Sequence, residues 1–308
     1  MQSVKTAVVA NPASGHGKAG RRWPEIAAAF EREGLPIVFN FTRKAGDATA
    51  MTRRFLHAGY ELIISVGGDG TAYEVVNGFF EHGRAINKDA AIAFISTGTG
   101  SDLVRTIGTP KDFAGAVKHI VKSPVRTIDL GRARYISNEG TEEISYFINV
   151  AGLGLDGDTV ARVNRTSKVM GGFISFLWAT IVSLLLYRNQ PMTITVEDKL
   201  IYDGPVTVAV AGNGCYFGGG MKIAPAARMD DGQLDIVILH NLSKKELIFN
   251  LPGVYRGSHI DNPKIKFLRG RSLKIDSSGT ALLNLDGEQP GKAPAEIEIM
   301  PLALNLKS

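Results

Sequence analysis

The chain has 308 residues, 44% of them hydrophobic and 21% charged, with a formal net charge of +5, a pI near 9.2 and a mean hydropathy of +0.02. These values describe a soluble globular protein of one large domain or two ordinary ones; the positive balance suits an anionic ligand or membrane surface and is too weak to indicate nucleic acid. The single cysteine, Cys215, excludes an intramolecular disulfide and a cysteine-based zinc cluster, which leaves a cytoplasmic protein as the expectation.

Met1 to Thr6 runs directly into the first predicted strand, so no signal peptide is expected ahead of the fold. As far as Val125, predicted strands alternate with predicted helices. The strands are Thr6–Ala10, Pro36–Phe41, Glu61–Val66 and Ala91–Ile95; the helices are Gly20–Glu33, Asp47–Ala58, Ala72–Glu81 and Asp112–Val121. Such alternation builds a mostly parallel sheet that binds ligands at the carboxyl ends of its strands. Three strands here end in glycine-rich loops. In the first, Asn11 to Gly20, the glycines at 15, 17 and 20 satisfy G-x-G-x-x-G. Asn11-Pro12-Ala13-Ser14 intervenes before Gly15, however, and Thr42-Arg43-Lys44 stand where a dinucleotide fold carries an acid. A phosphate cradle of non-standard type remains. The second loop, Gly67-Gly68-Asp69-Gly70-Thr71, offers backbone N–H groups and a helix start to a phosphate, with Asp69 reaching it through a metal ion. The bland alternative is a strand-to-helix turn capped by Asp69. The third, Ser96-Thr97-Gly98-Thr99-Gly100-Ser101-Asp102, adds a second carboxylate on the same sheet edge. Three such loops together make a nucleotide site the better reading.

After Val125 short predicted strands follow one another: Arg126–Leu130, Tyr146–Val150, Met192–Val196, Val206–Ala211, Leu234–Leu239, Lys264–Leu268, Ser272–Ile275 and Leu282–Leu285. The expected fold is α/β + β. An N-terminal parallel-sheet nucleotide domain spans residues 1–126, with 298–308 returning to it, and a larger, mainly antiparallel β-sandwich spans 127–297. Met170 to Tyr187 is uncharged and just long enough for a membrane span. Its stripe of Gly172, Ser175, Ala179 and Ser183 argues instead for a buried or lipid-facing helix. Asp231-Gly232 and Asp286-Gly287 are turn dipeptides in their own right.

Asn-Pro-x-Ser-Gly, Gly-Gly-Asp-Gly-Thr and Gly-Thr-x-x-Asp-x-x-Arg, in this order, resemble the diacylglycerol kinase catalytic family, which includes bacterial diacylglycerol kinases and sphingosine kinases. Asn149 to Asp156, Gly212-Asn213, Gly218 to Met221, Ala224 to Ala227, Asp231 to Asp235 and Asp286-Gly287-Glu288 extend the resemblance over essentially the whole chain. It implies that Asn11, Ser14, Gly15, Gly67, Gly68, Gly70, Thr71, Thr97, Gly98, Thr99 and Arg105 surround the phosphates of ATP. It further implies that Asp69, Asp102 and Glu288 hold catalytic Mg²⁺ through water, and that Asp286 is the base. Asp231, with the backbone carbonyls of Arg228 and Gln233, would hold a separate structural Mg²⁺. Ser101 departs from the family, which carries Asn before that aspartate.

The expected activity is transfer of the γ-phosphate of ATP to a lipid hydroxyl, with diacylglycerol giving phosphatidic acid as the leading case. A peripheral membrane enzyme acting on a lipid at the bilayer surface follows, and a homodimer is compatible with it. The rivals are a kinase for another acceptor, such as a sphingoid base or NAD, and a non-catalytic nucleotide- or lipid-binding regulator.

Overall fold

The structure is a computed structural model that describes residues 4–98, 100–166 and 182–308, with backbone only at 164–166. The chain divides into two compact units, Met1–Ile128 with Leu302–Ser308, and Asp129–Pro301.

In the first unit β1 (Thr6–Ala10) is buried at every position, as an apolar run must be when both faces of its sheet are covered. It pairs in parallel with β2 (Ile37–Phe41) on one side and β3 (Leu62–Gly67) on the other. Next to β3 lies β6 (Ala91–Ser96), and beside β6 the end of β16 (Glu288–Lys307), also parallel. The strands after β1 thus go to opposite sides of it, which opens a crevice at the carboxyl ends of β1 and β3. One face is sealed by α2 (Trp23–Arg32) and α6 (Phe113–Lys122), whose Ile26, Phe30, Val117 and Ile120 pack on Val8, Ile64 and Ala93. Each such aliphatic or aromatic side chain contributes roughly 1.5–3 kcal/mol by leaving water. The predicted helix Gly20–Glu33 is two, α1 (Ser14–Arg21) and α2, because Pro24 suits a first turn better than an interior. α3 (Asp47–His57) and α4 (Asp69–Gly78) follow their strands. α4 begins three residues earlier than expected, so Asp69 stands in its first turn. A small hairpin, β4 (Phe80–Glu81) and β5 (Arg84–Ala85), replaces its predicted end. α5 (Asp102–Ile107) was not expected as an element.

The second unit is antiparallel and β-rich. β7 (Val125–Ser137), which enters from the first unit, pairs with β8 (Glu142–Phe147). β9 (Val150–Gly154) leads into α7 (Leu155–Thr166). β10 (Gln190–Val196), β11 (Lys199–Gly212) and β12 (Leu234–His240) form a meander. After it come α8 (Lys244–Arg256), β13 (Ile265–Gly270), β14 (Ser272–Ser277) and β15 (Leu282–Leu285). β9 lies between β11 and β15, and β15 pairs with the start of β16. The predicted strand Tyr146–Val150 is broken between β8 and β9, at the residues that a carboxylate from the β15–β16 turn engages. Of the segment Met170–Tyr187, residues 170–181 lie outside the described residues. Among the described residues no helix is long and apolar enough to cross a membrane.

Candidate active site

The loops after β1, β3 and β6 are tied to one another. Asn11 Nδ2 donates to Thr71 Oγ1 at 3.2 Å, joining the first loop to the second. Thr97 Oγ1 donates to Ser14 Oγ at 2.9 Å, joining the third to the first. Thr97 N donates to the carbonyl of Gly67 at 2.8 Å, which closes the set. Gly15, His16 and Gly17 all adopt left-handed backbone, with φ of 60°, 57° and 80°. That run turns successive N–H groups to one side, the concave arrangement that receives anions. The approach is so close that a Cβ on Gly15 would stand 2.2 Å from the Thr97 carbonyl oxygen, and one on Gly98 would stand 3.0 Å from Gly68 Cα. Gly70 sits in the first turn of α4, beside Asp69. Thr99 lies outside the described residues.

Asp69 and Asp102 both turn towards Gly100: a Cβ there would meet Asp69 Oδ2 at 2.9 Å and Asp102 Oδ2 at 3.8 Å. Asp102 keeps its other oxygen for Arg105, whose Nη1 donates to Oδ1 at 2.7 Å. Two hard carboxylate oxygens flanking one backbone position fit a Mg²⁺ that retains most of its water. Among the described residues no three His, Cys, Asp or Glu side chains assemble as a ligand set. Ser101 has φ 54° and ψ 35°, left-handed backbone that Asn adopts more readily than Ser. It is held there by Ser96 Oγ at 2.7 Å and by donation to the Gly98 carbonyl at 3.0 Å.

In the second unit, Asp286 and Gly287 form the β15–β16 turn with φ of 49° and 94°, the two positive values of a type I′ hairpin. This turn has a second purpose. Asp286 Oδ1 accepts from the N–H groups of Asn149 and Val150 at 3.0 and 2.8 Å, and Oδ2 accepts from Ile148 N–H at 2.7 Å. Burial pushes the carboxyl up to about 6 against the pull of those three donors. Counting about two acceptor directions per oxygen, Oδ1 is filled and Oδ2 has one left. Glu288 opens β16, two residues on.

The same turn connects to a carboxylate that sequence reasoning did not place in the site. Asn284 accepts from Gly287 N–H at 2.8 Å and donates to Asp156 Oδ2 at 2.7 Å. Burial raises Asp156 to about 6, with the Asn284 bond opposing. Asp156 lies in the first turn of α7 at the edge of an apolar cavity lined by Leu155, Leu184, Met221, Leu239, Leu251 and others. The signal available was a carboxylate at the start of an unrecognised helix.

Asp231 is differently placed from a bare metal ligand. Its Oδ1 accepts from Gln233 N–H at 3.1 Å, and its Oδ2 meets the guanidinium of Arg269. The same guanidinium lies 3.7 Å from Asp235, a buried residue whose oxygens have no hydrogen-bond donor of their own. Arg228 turns its side chain to Asp230, at 3.2 Å. The Asp231 carboxylate does not fit a divalent ion as it stands, because Arg269 already neutralises it.

Two family models match the chain. The diacylglycerol kinase catalytic domain matches residues 5–133, and the YegS C-terminal NAD kinase beta sandwich-like domain matches residues 149–308. A diacylglycerol kinase of Staphylococcus carnosus (strain TM300) is 31% identical over 300 residues, covering 97% of this chain and 92% of the relative. The chain belongs to the diacylglycerol kinase family. It is therefore a kinase, a transferase of phosphoryl groups. A diacylglycerol kinase of Bacillus subtilis (strain 168) is 29% identical over 290 residues, covering 94% of this chain and 91% of the relative. Among solved structures, a diacylglycerol kinase from Bacillus anthracis str. Sterne superposes with a TM-score of 0.72 at 23% identity, covering 100% of this chain and 97% of that one. An NAD kinase from Archaeoglobus fulgidus in complex with ATP does so with 0.53 at 12%, covering 98% and 93%. These two likenesses speak for the fold alone: an α/β unit followed by an antiparallel β-rich one.

Proposed function

We propose that this member of the diacylglycerol kinase family transfers the γ-phosphate of ATP to the hydroxyl of diacylglycerol, giving phosphatidic acid. ATP-dependent phosphorylation of a lipid alcohol is the family's chemistry; diacylglycerol as the acceptor is the proposal. The observation that carries it is the apolar cavity of the second unit and its link through Asp156, Asn284 and Gly287 to Asp286. A soluble dinucleotide acceptor would call for polar walls, whereas this cavity is lined chiefly by leucine, valine, isoleucine and methionine.

In this reading the three loops of the first unit bind and orient the phosphates of ATP, and Asp69 and Asp102 are the residues of that unit that would hold Mg²⁺. When bound, that ion neutralises charge on the phosphates. Asp286 takes the acceptor's proton at the free direction of Oδ2, with backbone N–H groups fixing the carboxylate in place. The enzyme works at a membrane surface and is otherwise cytoplasmic. The test is a radiolabelled-ATP assay across dispersed diacylglycerol, a sphingoid base, other lipid alcohols and NAD. Label entering diacylglycerol at the highest kcat/KM is the expected result, and label entering only NAD would overturn the lipid reading.

A further inference from the structure

Helix α8 is apolar on two faces. Leu247, Leu251 and Val254 line the cavity. On the opposite side Lys245, Ile248, Phe249, Pro252, Tyr255 and Arg256 are all exposed, Phe249 by 86% and Ile248 by 51%. A surface helix ordinarily keeps its outward face polar, and one that is apolar all round is covered by something. Its first two residues are Lys244 and Lys245, and its last is Arg256. Lysines at a helix N-terminus oppose the macrodipole, so helix stability does not account for them. Lys244 donates to the carbonyl of Leu185, a neutral group, and forms no ion pair among the described residues. That contact also brings the exposed Leu185 and Leu186 to the start of the helix.

We infer that α8 docks this enzyme on an anionic bilayer, lying in the interface with Ile248 and Phe249 in the acyl boundary and its terminal cations among the headgroups. The inference rests on the lipid-acceptor reading above. Charge selects the occupant: a second copy related by a two-fold axis would set the cationic ends of two helices against each other, whereas an anionic lipid surface satisfies both. Tyr255, with an apolar ring and a polar tip, suits headgroup depth.

Co-sedimentation of the whole protein with phosphatidylglycerol–phosphatidylcholine vesicles, and with phosphatidylcholine alone, tests this. The parent protein should prefer the anionic vesicles. Ile248→Ser with Phe249→Ser should weaken partitioning about tenfold or more, and Lys245→Glu with Arg256→Glu should remove the anionic preference. Both double variants should melt like the parent and phosphorylate monomeric short-chain diacylglycerol at the parent rate. The proposal is overturned if the parent ignores vesicles, if the serine variant sediments as the parent does, or if the substitutions change only self-association in lipid-free solution. Should vesicle binding fall as expected while no diacylglycerol is phosphorylated, the docking face stands and the acceptor reading fails instead.

Discussion

Asp286 uses both carboxylate oxygens to hold the turn Ile148–Val150 and retains a single acceptor direction, the one we propose takes the substrate proton. An amide has one acceptor oxygen, so Asp286→Asn must forfeit at least one of these bonds as well as the proton affinity. The variant should lose about 10²–10⁴ in kcat, the usual worth of a positioned base, and also melt at a lower temperature, while ATP affinity stays at the parent value. Near-parent kcat with the true acceptor would place the base elsewhere. Asp156 gives a cleaner electrostatic prediction, because its one hydrogen bond among the described residues is donated by Asn284 and an amide oxygen accepts it equally well. Its folded value, about 6, lies above the model-peptide value of 3.8. The folded state therefore binds more protons between those values, and its stability falls as pH rises through them. Asp156→Asn should match the parent most nearly below about pH 4, gain on it up to about pH 6, and hold a constant advantage above about pH 7. Thermal or denaturant unfolding across that range reads the difference; a gap that does not vary with pH would remove burial as the cause of the shift.

At the scale of elements, the sequence made the strand–loop–helix repeat of the first unit legible because buried parallel strands are uninterrupted apolar runs, and glycine marks each loop. The ties between loops were not legible. Nothing in the spacing of Asn11, Ser14, Thr71 and Thr97 says that their side chains bond to one another rather than to a ligand. α8 escaped notice although Ser243 and Glu246 form a capping box at its start, a pattern a sequence does carry; Pro252 and Gly253 inside the helix obscured it. α7 was hidden by Gly157, which costs helix propensity and survives because a Cβ there would strike Leu282. The partner that Asp231 meets, Arg269, lies 38 residues away in sequence, so the motif around Asp231 could not announce it. Melting of the parent without nucleotide should accordingly be the same in EDTA as in millimolar Mg²⁺. Arg269→Ala should cost on the order of 1–3 kcal/mol by leaving Asp235 without its counter-charge, with part of the loss recovered by Mg²⁺. A parent melting point that rises with Mg²⁺, and ceases to do so in Asp231→Asn, would restore the loop as a metal site.

For the whole molecule, the two family matches divide the chain near where its character changes, whereas the spatial division is less simple. β16 begins in the second unit and ends in the first, where Asn305 and Leu306 pair with Ala91 and Ile92 and both Leu304 and Leu306 are buried. Removing residues 302–308 should leave β6 with an unpaired edge, a template for pairing with other chains. The truncated protein should aggregate and lose ATP binding although no residue assigned to ATP is deleted; a monomeric truncation with parent ATP affinity would refute this. The arrangement also bears on biosynthesis. A ribosome delivers the first four strands of the nucleotide half early, yet the strand that covers β6 emerges only after the entire β-rich half has been made. The nascent nucleotide-binding half must wait through that interval with a bare strand edge, and its sheet is completed last.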